Sequence, residues 1–437
     1  MTREPAEGRA PVPNPSAGGN LYETTAPPLA PQPPLDGPAR ADVAIVGAGL
    51  TGLGAALTLA RAGHDVIVVE KGRVGAGASG INGGQIHPGQ RRDQRWLEEK
   101  VGEMRARALW DYAGEAHRWL LGVIDEEAIA CALQRGLITL AHRPALFRDL
   151  AADAEHLARH YGANHLTVVD PADLPRYTGA EGYHGAVFDA EGGHLDPLAL
   201  TRGLAAAALA AGARIAEDTP ATALARMGAG WRLATPRGDI DAASVIVTGD
   251  GNNGRLVPTV ADHVMPLVNF MIATEPLGPL ADAVFTGPYA GADTRFVVNY
   301  FRRTADGRLV FGGGESYGAT LPPNFAERVR RRMLPIFPML ADARITHGWG
   351  GVLGITAPRL PFVRQIEPGL HVASGYSGQG VMLAPFTGRA IAEAILGDDR
   401  RLSVMTDLPV PKLPGGRLLR RPLLIAAMLG FGLLDRL

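Results

Sequence analysis

Short β-branched runs alternate with longer stretches rich in alanine and leucine, and glycines mark most of the junctions. Asp42–Val46 (DVAIV) is continuously apolar after its first residue, Leu50–Ala62 is helical in composition, and His64–Glu70 (HDVIVVE) is apolar again. Strand, helix and strand in that order predict a βαβ unit. Farther on, Leu198–Ala211 reads as a helix, Arg214–Ala216 as a short strand and Ser244–Thr248 (SVIVT) as a buried one, all suited to the same parallel sheet. The pattern changes between Arg295 and Gly313, where RFVVNYFRR and RLVFGG flank Asp306-Gly307. That is a hairpin signature, and an antiparallel element implies a second domain. Leu370–Ser374 is again a strand, and Gly380–Leu396 a helix that opens on glycine. The first domain is therefore expected to be discontinuous, with the antiparallel domain inserted.

Glycine spacing gives this pattern chemical content. Gly47-Ala48-Gly49-Leu50-Thr51-Gly52 fits GxGxxG between a strand and a helix: Gly47 for the tight turn, Gly49 for close approach of a pyrophosphate, Gly52 for helix–strand packing. Phosphate charge would face the helix N-terminus. Glu70 ends the second strand with 17 residues between it and Gly52, placed to accept hydrogen bonds from a ribose 2′-hydroxyl. The motif indicates a dinucleotide without saying which. In Gly75–Gln85 (GAGASGINGGQ), seven of the eleven residues are Gly or Ala, so little keeps a planar ring from the backbone, while Ser79, Asn82 and Gln85 offer hydrogen bonds. A flexible hinge would have a similar composition. A second cluster, Gly375-Tyr376-Ser377-Gly378-Gln379-Gly380, opens the late helix, where backbone N–H groups can face developing negative charge; an ordinary helix cap reads the same way.

Composition narrows the setting. A chain of 437 residues, 46% hydrophobic and 20% charged, is of ordinary globular type and long enough for two or three domains. The net charge of -1 gives no electrostatic footprint for nucleic acid. The single cysteine, Cys131, fits a reducing compartment, and no secretory signal pattern opens the sequence, so a cytoplasmic location is expected. Residues 1–40 are rich in Pro, Gly and Ala and are expected to form a surface arm without a core. At the other end, Pro422–Leu434 would make a helix of only about 20 Å, too short for a bilayer core of about 30 Å. With Arg417, Arg420 and Arg421 ahead of it, that tail suits a membrane surface, a subunit contact or packing on its own domain. His156 and His160 share a helix face, but no third metal ligand is evident, and no metal is expected.

Several stretches together resemble the FAD-dependent amine and amino-acid oxidoreductases of the D-amino-acid oxidase superfamily: ADVAIVGAGLTGLGAALTLA, VVEKGRVGAGASGINGGQ, LDPLALTRGLAAAALAAGA, VIVTGDGNNGRLVP, YFRRTADGRLVFGGG, WGGVLGITAPRLPFV and GYSGQGVMLAPFTGRAIAEAI. The resemblance runs along most of the chain and implies an α/β fold: a discontinuous Rossmann-like FAD-binding domain (41–90, 191–262 and 345–400) with an inserted α+β substrate domain (mainly 91–190 and 263–344), and a tail at 401–437. It implies FAD held through Gly47, Gly49, Leu50, Thr51, Gly52, Glu70, Lys71, Ser79, Asn82, Gly83, Gly84, Gln85, Ala221, Gly249, Gly375, Gly378, Gln379 and Gly380. Non-covalent attachment is expected, because no cysteine stands near Leu353 and Ile81 occupies about the place of the histidine some relatives use; His87 is near in sequence. The implied reaction is hydride transfer from a C–H beside nitrogen to the flavin, giving an imine that water hydrolyses. Tyr300 and Arg302, alternate residues on the hairpin strand, are candidates for the substrate side, with Arg302 able to hold a carboxylate; a surface Arg and a core Tyr fit the same pattern. Trp349 could wall the pocket or fill a core. Some relatives use a lysine over the flavin to help oxygen, yet no Lys lies between Val101 and Pro411, so the acceptor is oxygen or a quinone or electron-transfer partner. A non-catalytic flavin-binding scaffold and another flavoprotein class, such as a monooxygenase, stay open at this stage.

Overall fold

A computed structural model describes residues 19–316 and 320–414. In chain order the strands are β1 (Ala39–Val46), β2 (Val66–Val69), β3 (Gln85–Ile86), β4 (Gln134–Leu140), β5 (Leu166–Val169), β6 (Ala186–His194), β7 (Arg214–Ala216), β8 (Ala223–Met227) and β9 (Gly230–Ala234). They continue with β10 (Ile240–Val247), β11 (Met265–Thr274), β12 (Ala290–Asp293), β13 (Tyr300–Arg303), β14 (Leu309–Ser316), β15 (Ile345–Ile355), β16 (Phe362–Glu367) and β17 (Leu370–Ser374). The first helices are α1 (Tyr22–Thr25), α2 (Leu50–Arg61), α3 (Ala78–Ile81), α4 (Gln94–Val101), α5 (Glu103–Glu126) and α6 (Pro144–Tyr161). After them come α7 (Pro197–Ala210), α8 (Pro258–His263), α9 (Leu280–Val284), α10 (Phe325–Met333), α11 (Gly380–Ile395) and α12 (Arg400–Thr406).

The βαβ unit read from the sequence is present, and its strands make the centre of the first sheet. The order is β16-β17-β10-β1-β2-β7, with β1 parallel to both β2 and β10, and the β8–β9 ribbon attached to β10. All four residues of β2 (VIVV) are buried, as expected for a parallel strand covered on both faces. Helices α2 and α11 cross with their backbones almost touching. A Cβ on Gly54 would lie 2.1 Å from the Pro385 carbonyl oxygen, and one on Gly388 would lie 1.9 Å from that of Thr51. Glycine at both positions is what brings the two helix starts together.

The second sheet runs β15-β11-β14-β13-β12-β4-β6-β3, with β5 paired to β6. It contains the expected hairpin: β13 and β14 pair antiparallel from Tyr300↔Gly312 to Arg303↔Leu309. Phenylalanines 270, 285, 301, 311, 325 and 337 fill the core on its far face.

Three expectations about organisation need correction. Residues 345–355 fall within the stretch expected in the dinucleotide domain, yet β15 pairs with β11 from Met265↔Ile355 to Thr274↔Ile345, and the chain returns to the first sheet only at β16. Helices α4 and α5, expected with the substrate domain, bury Leu97, Leu109, Tyr112 and Leu120 in the first core. The N-terminal arm is not wholly superficial: Leu21 and Tyr22 are buried, and the Tyr22 hydroxyl donates to the Asn82 carbonyl at 2.9 Å. Two large side chains suffice to anchor a segment whose average composition is that of a linker. The apolar tail at 417–437 lies outside the described residues. Among the described residues no helix is long and apolar enough to cross a membrane.

Candidate active site

The loop between β1 and α2 turns at Gly47, whose φ of +104° a side chain would strain. A Cβ on Gly52 would lie 2.1 Å from the Gly47 carbonyl oxygen, and one on Gly49 would lie 2.7 Å from Ser79 Oγ. Gly47 and Gly52 thus serve the turn and the packing, and at Gly49 it is Ser79 that comes close. Ser79 Oγ accepts the Leu50 N–H at 2.9 Å, tying the second glycine-rich segment onto the start of α2. Glu70 accepts the Ala48 N–H at 2.9 Å and the Gly72 N–H at 3.0 Å. Burial raises its pKa, and these backbone donors oppose the rise. The Lys71 N–H is a third backbone donor, and a carboxylate has about four acceptor sites, so about one is left for a ribose hydroxyl.

One cavity of about 520 Å³ collects most of the remaining candidates. Gly49, Leu50, Thr51, Ser79, Asn82, Gly83 and Gln85 line one end together with Gly378, Gln379 and Gly380 at the start of α11. Gly375 holds the turn before α11 at φ +78° and donates its N–H to Asp250 Oδ1 at 2.7 Å. The Thr51 and Tyr376 hydroxyls, 3.1 Å apart, join the α2 and α11 starts. Asn82 donates to Ala78 O and Ser79 O and accepts from the Gly84 N–H, which closes the loop. Gln85 donates to Gly291 O and Phe301 O, bridging to the second sheet. Gly47, Gly52, Glu70, Lys71, Gly84, Ala221, Gly249 and Gly375 do not line this cavity. Lys71 is exposed and Ala221 is half-buried against the first core.

The substrate-side candidates separate. Tyr300 lines the cavity, with its ring beside Gly83 and its hydroxyl donating to Asn269 Oδ1 at 2.5 Å. Burial raises its pKa, so the phenol stays protonated. Arg302 and Trp349 do not line the cavity. Arg302 Nε donates to Gly83 O at 2.9 Å and its guanidinium lies over the Tyr22 ring, while Trp349 Nε1 donates to Ile81 O at 3.0 Å. Both side chains hold the 81–84 loop from behind, which removes Arg302 as a carboxylate ligand.

Residues that the sequence did not single out complete the wall. Asp250 accepts from Gly354 N at 2.6 Å as well as from Gly375, and burial raises its pKa. Arg91 and Arg359 also line the cavity, as does Glu315. Arg91 makes no hydrogen bond within the described residues; burial, and next the charge of Arg359, push its pKa down to about 10, so it remains a cation. The imidazole of His87, 3.1 Å from Gln85 Oε1, is pushed down to about 4 by burial and is neutral at pH 7. The Arg91-Arg92 pair just after the glycine-rich segment was the available signal; Asp250 followed the SVIVT strand in the Asp-Gly step that ends it.

Two helix starts, a glycine-walled cradle and a polar sheet face meet on a single cavity, the arrangement of a dinucleotide-binding protein. Comparisons with known proteins agree. The DAO family, described as FAD dependent oxidoreductase, matches residues 42–394. The chain is 40% identical over 421 residues to a probable oxidoreductase OrdL of Rhizobium meliloti (strain 1021), covering 96% of this chain and 98% of that protein. It is 34% identical over 420 residues to the gamma-glutamylputrescine oxidoreductase of Escherichia coli (strain K12), again covering 96% and 98%. The fold matches the crystal structure of glycine oxidase from Geobacillus kaustophilus with a TM-score of 0.70 at 24% identity, over 82% of this chain and 95% of that one. The chain belongs to the DAO family of FAD-dependent oxidoreductases.

The residues present fit that cofactor. The Gly49 approach and the N–H groups of the α2 start suit a pyrophosphate, and Gly378, whose Cβ would meet nothing within 4 Å, leaves room at the α11 start for a ring edge.

Proposed function

We propose that this protein oxidises a C–N bond of an amine or amino acid, giving an imine that water hydrolyses. The carrying observation is that the α2 and α11 starts and the Tyr300–Asn269 pair line the same cavity. Bound FAD supplies the acceptor for the hydride beside the substrate nitrogen. The chain supplies position and field. Asn269 and Tyr300 fix one wall, and Gly351, Val352 and Leu353 of β15 form another without bulky polar groups. His87, being neutral, does not repel a cationic amine, and the unprotonated fraction of the substrate is the reactive one. Arg91, rather than Arg302, is the cavity guanidinium placed to meet a substrate carboxylate.

FAD is held without a covalent bond in this reading. Ile81 and Leu353 occupy the cavity wall, and Cys131 is buried outside it. No lysine lines the cavity among the described residues, which supports slow reaction of the reduced protein with oxygen and reoxidation by a quinone or an electron-transfer partner. The test is anaerobic titration of the purified holoprotein with polyamines, N-methyl amino acids and D-amino acids, followed by admission of air. Bleaching of the visible spectrum by at least one of them is expected, with slow peroxide formation afterwards. A spectrum unchanged by all of them would remove the catalytic reading, and rapid peroxide release would remove the dehydrogenase part.

A further inference from the structure

The cavity does not stop at the Tyr300–Asn269 pair. In the second sheet β13, β12, β4 and β6 are consecutive, and their register aligns Tyr300 with Ala292, Ala292 with Thr139, and Thr139 with Val187. All four residues line the cavity, so they form one continuous row of its floor. Two residues along, on the same face, Leu137 aligns with Asp189 and Asp189 with Leu166 of β5, and these three line it as well. Neighbouring strands are about 4.8 Å apart, so three steps carry the floor about 14 Å sideways from Tyr300. Leu150, Ala154 and Leu157 of α6 line the same extension. Its walls are largely apolar, and it is longer than a simple amino acid fills.

The far end is built to accept protons. Asp189 Oδ1 takes the N–H groups of Glu191 and Gly192, both at 2.9 Å, and His165 Nε2 lies 3.8 Å from the same oxygen; Oδ2 makes no hydrogen bond among the described residues. Asp153 of α6 lines the cavity too, with Arg95 at 3.1 Å. Burial raises the pKa of both carboxyl groups, a penalty that a bound cation would relieve. An apolar passage that ends at a half-buried carboxylate, whose Oδ2 takes no hydrogen bond among the described residues, suits a chain of methylenes carrying N–H donors at its end.

We propose that Asp189 forms a distal ammonium subsite, so that the substrate is an elongated amine with a second positive charge far from the nitrogen being oxidised. This rests on the amine-oxidation reading. Terminal diamines of increasing length, and monoamines of matching length, are compared for anaerobic flavin reduction in the holoprotein and in Asp189→Asn. The apparent dissociation constant for long diamines should rise about tenfold in the variant, with the limiting reduction rate and the monoamine constants within about twofold of the parent. Thr139→Phe, which narrows the floor, should lose long diamines and keep short amines. Binding of a terminal diamine whose carbons next to both nitrogens carry two methyl groups and no hydrogen, so that it keeps its N–H donors but cannot form an imine, is followed by calorimetry on the same proteins and should weaken in Asp189→Asn. Equal effects on diamines and monoamines, or calorimetric affinity unchanged by Asp189→Asn, would overturn the subsite. Absence of flavin reduction by every amine, with calorimetric binding that depends on Asp189, would overturn the reaction and leave the subsite standing.

Discussion

Arg91 and Arg302 show how burial decides the use of one chemical group. Both are enclosed, but Arg302 has Gly83 O and the Tyr22 ring as partners, whereas Arg91 lines the cavity and makes no hydrogen bond among the described residues. Arg91→Gln should therefore raise KM for an amino-acid substrate by at least about tenfold and leave its methyl ester nearly unaffected, because only the first presents a carboxylate to the guanidinium. Steady-state comparison of the two substrates checks this. Gly52→Ala acts by a different route: its Cβ would lie 2.1 Å from a backbone oxygen, and that oxygen cannot swing aside as a side chain can. A loss of roughly 1–3 kcal/mol in stability is expected, read from denaturant unfolding, together with weaker flavin retention.

Single elements do two jobs here. Strand β15 belongs to the second sheet by pairing, yet Asp250, just beyond β10 of the first sheet, accepts from Gly354 near its end and from Gly375 before α11. One carboxylate thus ties β15 to the glycine-rich start of α11. Asp250→Asn keeps the size but offers one oxygen to two donors, leaving one N–H unsatisfied. The expected cost is about 1–3 kcal/mol, seen as a lower melting temperature and faster release of flavin on dilution. The sequence made the β1–α2–β2 unit legible because its signals are local: apolar strand, glycine turn, acid at the next strand end. It misplaced β15 because the WGG segment looks the same whichever sheet it joins, and a pairing partner eighty residues upstream leaves no trace in a local pattern. Tyr300 and Arg302 alternate correctly, but the 81–84 loop covers one and leaves the other in the cavity, which no period-two reading contains.

At the scale of the molecule, burial sets the response to acid. His87 and His371 are pushed down to about 4 and His194 to about 3, in each case chiefly by burial. In the unfolded chain they titrate near 6.5, so between about 6.5 and 4 unfolding takes up protons that the folded state refuses. Stability from these residues is complete above about pH 6.5 and falls as the pH drops, by about 1.4 kcal/mol per pH unit for each histidine. Glu70 and Asp250, raised by burial, act in the opposite sense over the acid range. His371→Leu should flatten the fall in melting temperature between pH 6.5 and 4 by about one proton's share. Acid unfolding also tests attachment of the cofactor: all yellow chromophore should leave with the supernatant, since among the described residues no cysteine lines the cavity and the His87 ring is held against Gln85.

The sequence alone determined the parts whose physics is short-ranged: a glycine turn at the start of α2, the carboxylate closing β2, the hairpin, and through them the family and its cofactor. Tertiary structure alone decided which charged groups face the cavity, where the floor leads, and what lies at its end. Tyr300, Ala292, Thr139 and Val187 become one surface only after four strands from distant segments come into register. A cavity is a property of surfaces left uncovered, and what covers a side chain is set by packing between segments far apart in the chain.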